Sequence, residues 1–391
     1  MLGLVLSGGG ARGAWQAGVL RYLFDHFARE DRPRFCVLTG TSVGGVHAAW
    51  VGGSGQTPGC GVDLTQLWLD MKVERIVQTN WPWLRRQGMR LLLGRGGREP
   101  RREPDERIRT SFFDTTELES MIVGSINWRR LQREIRQRRT CAIAVPATQI
   151  ASGKAEVFYQ SPEPVQSMTW RNDPNVTSRR VRLGPRHVLA GAAMPLFFPP
   201  VRIGGFYYND GGLRMNTPMS PAIRLGATHL LVLTLRGPEP PHKPSRKQQM
   251  LAAGDPVYLL GKAFDALMLD TLDRDLITLD MINALLDDID RDEAVRLGRE
   301  YRGARFRKVR YEVAAPSENL PTLAEEALRE IERPPAIFRR YLDIASGPPD
   351  LLSYFLFDEA YSRRLIDLGY EDARAAHDRF AALMDDLDAR A

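Results

Sequence analysis

The 391-residue chain carries 54 Lys+Arg against 48 Asp+Glu, six His and three Cys, with 43% hydrophobic and 26% charged residues. That balance excludes disorder as the main state, and no stretch reaches the roughly 18 apolar residues of a transmembrane helix. The net charge of +6 invites a polyanionic partner, but 48 of the 54 cations are arginines spread along the chain, so composition alone marks no binding surface.

At roughly 150 residues per domain, the length allows two or three domains, or one large α/β domain with appendages. Met1 to Ser7 is apolar but too short for a signal core and lacks a basic lead, so a cytoplasmic protein without an integral anchor is expected. Gly3 to Ser7 reads as a short buried strand, followed by Gly8-Gly9-Gly10-Ala11-Arg12-Gly13. Trp15, Val19, Leu20, Leu23, Phe24 and Phe27 then fall on one stripe of a helix. Phe35 to Leu38 is a second strand, running into Gly40-Thr41-Ser42-Val43-Gly44-Gly45 and a helix through about Val51. This alternation predicts parallel strands joined by right-handed crossovers. Residues 71–110 are irregular and read either as an inserted lid or as a surface excursion. Strands follow at Cys141 to Val145, Ala155 to Gln160, Val201 to Tyr208 and His229 to Leu235. Four prolines between Gly237 and Ser245 mark a linker. Beyond it, helices are expected from about Asp255 to Asp290 and from about Leu320 onward, interrupted by a strand at Phe306 to Val313. Cys36, Cys60 and Cys141 are odd in number and far apart, spaced neither for a metal nor for a disulfide framework, which points to a reducing compartment.

Gly40-Thr41-Ser42-Val43-Gly44 is a G-x-S-x-G between strand and helix, the context of a nucleophile elbow. A plain turn with Ser42 capping the helix explains the pentapeptide equally well. Gly8 to Gly13 matches the dinucleotide fingerprint G-x-G-x-x-G, yet the second strand ends Val37-Leu38-Thr39-Gly40 without the acidic residue that would hold a ribose. The same loop read as an oxyanion hole aims backbone N–H groups at an acyl oxygen, at the sheet edge that carries Ser42. A tight helix entry is the third reading and explains three successive glycines least well. Of the histidines, His47 lies five residues along the helix from Ser42 and would point away, while His229 and His242 sit in a strand and in the linker; His26, His187 and His377 offer no better placement. Asp210, at a strand end in Asn209-Asp210-Gly211-Gly212, is the stronger candidate base, with an ordinary Asp-Gly turn as its alternative. Met194, Leu196, Phe197 and Phe198 either line an acyl-chain pocket or belong to the core.

Taken together, Ser7 to Gly13, Gly40 to Gly44 and Asp210-Gly211-Gly212 resemble the three signatures of patatin-like phospholipases, in order and at fitting distances. Ala190 to Val201 resembles the Pro- and Phe-rich segment ahead of the family's aspartate, and Asn216-Thr217-Pro218 the stretch after it. Asp350 to Ala373 resembles the C-terminal region of a bacterial subgroup. After the strand at Cys141 to Val145 the family often continues with an aspartate; here Ala147-Thr148-Gln149 follows.

The resemblance implies a three-layer α/β/α catalytic domain with a mostly parallel sheet; with the linker at Gly237 this domain is expected over 1–236, with 71–110 as either a lid or a surface excursion, followed by the linker and a mainly helical extension over 237–391. It implies a Ser42–Asp210 dyad without histidine, an oxyanion hole from Gly8, Gly9 and Gly10 with Arg12 and Gly13, and shaping glycines Gly40, Gly44, Gly211 and Gly212. The expected activity is lipid-ester hydrolysis through an acyl-enzyme, with no cofactor and no metal. Transfer of the acyl group to an alcohol on the same dyad, or a non-catalytic membrane- or partner-binding role, are the alternatives. Residues 85–109 hold nine arginines against four acidic residues. With Trp81 and Trp83 they read either as peripheral contact of 81–109 with an anionic membrane or as a solvated lid in an arginine-biased protein, and no nucleic-acid module accompanies them.

Overall fold

The computed structural model describes residues 1–28, 34–72, 78–79, 113–165, 170, 173–239, 272–302, 306–331 and 350–389, with single positions at 250, 254, 259 and 262. β1 (Leu2–Leu6) passes through a one-turn 3-10 helix, Gly10–Arg12, into α1 (Gly13–His26). β2 (Val37–Gly40) runs into α2 (Val43–Ser54), and α3 (Gly61–Leu69) follows. A two-stranded ribbon pairs β3 (Gln78–Thr79) with β4 (Phe113–Asp114), ahead of α4 (Thr116–Ser125) and α5 (Trp128–Arg136). Then come β5 (Ala142–Gln149), β6 (Ala155–Gln160), β7 (Val176–Arg180), α6 (Pro185–Gly191), β8 (Val201–Ile203), β9 (Phe206–Asp210), α7 (Met219–Arg224) and β10 (His229–Leu233). The remainder is α8 (Leu272–Asp288), α9 (Arg291–Leu297), β11 (Arg310–Ala314), α10 (Leu320–Glu330), α11 (Asp350–Phe355), α12 (Glu359–Ala375) and α13 (His377–Ala389).

The main sheet runs β11-β10-β1-β2-β5-β6-β7, with β9 paired antiparallel to β5 and β8 to β9. β11, β10, β1, β2 and β5 are mutually parallel, which puts the loops after β1 and β2 at one carboxyl edge. Strand side chains alternate between two cores. Leu4, Leu6, Ile143, Val145, Leu231 and Leu233 face the core under α1, α2 and the C-terminal helices, while Val5, Ala142, Ala144, Leu230 and Val232 face the one under α7 and α8. A sheet apolar on both faces must be covered on both, and that gives the three layers.

α1 is buried on nearly every side because α12 packs across its outer face. Gly18 and Gly369 make that crossing close: a Cβ at Gly18 would overlap the Ile366 carbonyl oxygen, and one at Gly369 the Trp15 carbonyl oxygen. Trp15 Nε1 donates to Asp372 Oδ2 at 2.7 Å across the same contact. The chain after 237 thus contributes an edge strand and a covering helix to the fold built by the chain before it.

Two sequence expectations are corrected. The single strand expected from Val201 to Tyr208 is a hairpin, because Gly204 and Gly205 adopt φ of 56° and 90° and reverse the chain between β8 and β9. The cysteines are not all isolated: Cys36 and Cys141 open neighbouring parallel strands, their Cα atoms 5.0 Å apart, and form a disulfide. Their 105-residue separation hid the pairing. Cys60 stays a free thiol, pushed up to about 11 by burial. Most of the predicted lid lies outside the described residues, as does the arginine-rich stretch from 85 to 109. Among the described residues, no helix is long and apolar enough to cross a membrane.

Candidate active site

The turn from β2 to α2 holds Ser42 at φ 53°, ψ −127°, a conformation L-residues avoid. The surrounding glycines make the turn sterically feasible: a Cβ on Gly40 would overlap the Gly44 carbonyl oxygen, and one on Gly44 the Leu6 carbonyl oxygen. Thr41 fastens the turn from both ends, its N–H donating to Leu6 O at 3.1 Å and its hydroxyl to Met215 O at 2.7 Å. Ser42 is 6% exposed, and its side chain lies near enough to the Asp210 carboxylate to pull that carboxyl down against burial.

Asp210 ends β9, antiparallel to β5 and opposite Ala147. Its N–H donates to Ala193 O at 2.8 Å, and Thr148 Oγ1 donates to its carbonyl at 2.9 Å, so the backbone is fixed on both sides. Thr148 belongs to the Ala147-Thr148-Gln149 stretch that departs from the family pattern, and here it supports the aspartate. A Cβ on Gly211 would overlap the Pro146 carbonyl oxygen, and Gly212 N–H donates to Asp210 Oδ1 at 2.8 Å. At 1% exposure, burial raises the Asp210 carboxyl to about 6, against the opposing pull of the nearby Ser42 side chain and the Gly212 N–H.

The glycine loop lies beside this pair. Gly8 is packed so close that a Cβ would come within 3.0 Å of Ser42 Cβ. Its N–H already donates to Asn216 O at 3.2 Å. The Gly9 and Gly10 amides have no acceptor among the described residues. Gly10 sits at φ 59°, and Arg12 closes the turn with its N–H donating to Gly9 O at 3.2 Å. Gly13 lets α1 start against α2, since a Cβ there would meet Val43 and the Trp68 ring.

No histidine among the described residues hydrogen-bonds Ser42 or Asp210. His47 does reach the site, but as a wall. Its ring nitrogens meet Gln16 Oε1 at 2.9 Å and the Trp68 Nε1–H at 3.0 Å, and burial lowers it to about 3, leaving it neutral. With Trp68 as donor, Nε2 accepts and Nδ1–H donates to Gln16, whose Nε2 in turn holds Ser7 O at 3.0 Å and Leu233 O at 3.2 Å. Sequence reasoning passed over Gln16 and Trp68, which no local motif marks. His242 lies outside the described residues.

An apolar cavity of about 50 Å³ opens from Ser42 and Gly10 and is walled by Val46, Trp50, Leu64, Leu118, Met194 and Phe198. Of the residues suspected of lining a pocket, Met194 and Phe198 do so. Phe197 packs against Phe355 with ring centres 4.5 Å apart, and Leu196 is 61% exposed at φ 69°.

Comparison with known proteins matches residues 4–223 to the family model of patatin-like phospholipase. Among solved structures, that of VipD from Legionella pneumophila is similar at a TM-score of 0.32 and 15% identity, over 93% of this chain. The chain spans 66% of the length of that structure, and the likeness is too distant to carry a statement about this protein. No curated protein matches.

Proposed function

Since the chain belongs to the patatin-like phospholipase family, we propose that it is a serine lipid acyl hydrolase working through a Ser42–Asp210 dyad. The observation that carries this reading is the strained, buried Ser42 beside a buried carboxylate whose basicity burial has raised. An aspartate near 4 is a poor base toward a hydroxyl, and a shift to about 6 narrows that gap by roughly 3 kcal/mol.

In the acylation step Asp210 takes the Ser42 proton as Oγ bonds to the ester carbonyl carbon. The negative charge that develops on the carbonyl oxygen meets the Gly9 and Gly10 N–H groups, each donor of this kind being worth roughly 10²- to 10³-fold in rate. Collapse of the tetrahedral intermediate expels the alcohol portion, which leaves with the proton from Asp210. Water then loses a proton to Asp210 and attacks the acyl-enzyme, releasing the fatty acid and restoring the Ser42 hydroxyl. The apolar lining beside Ser42 suits the acyl chain.

A fluorophosphonate probe tests the reading. Labelling of the wild-type chain and its loss in Ser42→Ala are expected; undiminished labelling of Ser42→Ala overturns Ser42 as nucleophile.

A further inference from the structure

The family match ends at residue 223, yet the glycine loop is held by side chains more than a hundred residues beyond it. Arg12, only 8% exposed, is a charge withdrawn from water and therefore needs nearby acceptors. α11 supplies two. Arg12 Nε donates to Ser353 Oγ at 2.8 Å and Nη1 to the Tyr354 hydroxyl at 3.2 Å, with the guanidinium 3.9 Å above the Tyr354 ring centre. The backbone is engaged as well: Gly10 lies so close to Tyr354 that a Cβ would overlap its carbonyl oxygen. α11 is itself anchored at the site, with Phe355 packed on Phe197 and Phe198, and Phe357 stacked on Trp68 at 6.1 Å. Asp358 then caps α12 by accepting from Ala360 N–H at 2.9 Å, and α12 is the helix locked across α1.

We propose that Ser353 and Tyr354 are positioning residues for the oxyanion loop, acting through Arg12, so that the catalytic unit includes the C-terminal segment. The proposal rests on the acyl-hydrolase reading above for its catalytic consequence. Its physical basis is independent of that reading. The Gly9 and Gly10 amides sit on a single 3-10 turn whose last residue is Arg12. One turn has too few internal hydrogen bonds to hold its own orientation, whereas an oxyanion donor must stay within 2.7–3.1 Å of the developing charge. The contacts at Arg12 supply that rigidity from outside the turn.

The test is the double variant Ser353→Ala/Tyr354→Phe in the full chain, which keeps the ring over Arg12 and removes both hydroxyl acceptors. With a soluble p-nitrophenyl ester, kcat is expected to fall about tenfold or more with KM within about twofold. The fluorophosphonate labelling rate should fall in parallel, because attack at phosphorus uses the same donors. Amide hydrogen exchange is expected to speed up in residues 8–13 while β1 and β2 keep their protection. Unchanged kcat and labelling, or unchanged exchange in 8–13, overturns the proposal. Ser42→Ala, assayed alongside, separates the two ideas: absence of Ser42-dependent hydrolysis in the wild-type chain sinks the acyl-hydrolase reading, and the exchange data still decide whether residues 353 and 354 hold the loop. Should the double variant fail to fold, Tyr354→Phe alone is read by the same exchange and labelling measurements, with the same outcomes deciding.

Discussion

The pH dependence of hydrolysis probes the base directly. Burial lifts Asp210 from 3.8 to about 6, a shift of about two units and so about 3 kcal/mol in favour of the protonated form. As a base Asp210 must be ionised, so kcat/KM for a soluble short-chain ester is expected to rise with pH through a single ionisation near 6. At pH 5 roughly a tenth of the chains carry the carboxylate, whereas an unperturbed aspartate would be more than roughly nine-tenths ionised there. His47, held near 3 and neutral, adds no limb between pH 5 and 8. Stability follows from the same shift with a definite sign. Between about 4 and 6 the folded chain binds a proton that the unfolded chain releases, so Asp210 lowers stability as pH rises through that window, by up to about 3 kcal/mol once above it. Asp210→Asn removes this term. Its urea-unfolding free energy, plotted against pH, should diverge from that of the wild-type chain between pH 4 and 7 in the sense that only the wild type declines. An activity limb near 4, or parallel stability curves for the two chains, would refute the assignment of a raised carboxyl to Asp210.

Two further outcomes are expected. Ser42→Gly should abolish labelling yet unfold at higher urea than Ser42→Ala by about 1 kcal/mol, because glycine relieves the φ of 53° that alanine retains; an alanine variant at least as stable contradicts the strain. Val46→Trp places an indole in the cavity, where Val46 is 9% exposed, and should lower kcat/KM for long-chain esters about tenfold or more relative to a butyrate ester, at about 1–3 kcal/mol in stability. Equal losses for both chain lengths would show that the cavity does not receive the acyl chain.

Much of the fold and the site was legible along the chain because the relevant physics is local. Strand-glycine-helix units predict parallel crossovers from periodicity alone, and β1, β2 and β10 lie within two residues of their expected bounds. Ser42 and Asp210 stood out because an elbow and an Asp-Gly-Gly turn require glycine within a few positions of the functional residue. β7 and α3 were missed, being short and without a clean alternation or stripe, and the β8–β9 hairpin was read as one strand because its two glycines were taken as strand interior.

By itself, then, the sequence marked the strand-glycine-helix units and singled out Ser42 and Asp210 as candidates, since each is announced by its immediate neighbours. Tertiary structure alone decided the rest. It lifted Asp210 to about 6 through burial, occupied the Gly8 amide with Asn216 O, and joined Cys36 to Cys141 across 105 residues. It also set Ser353 and Tyr354 on Arg12, more than three hundred residues away. Desolvation and side-chain contact depend on distance in space, and a sheet whose neighbouring strands are far apart in the chain creates proximities that no stretch of sequence contains.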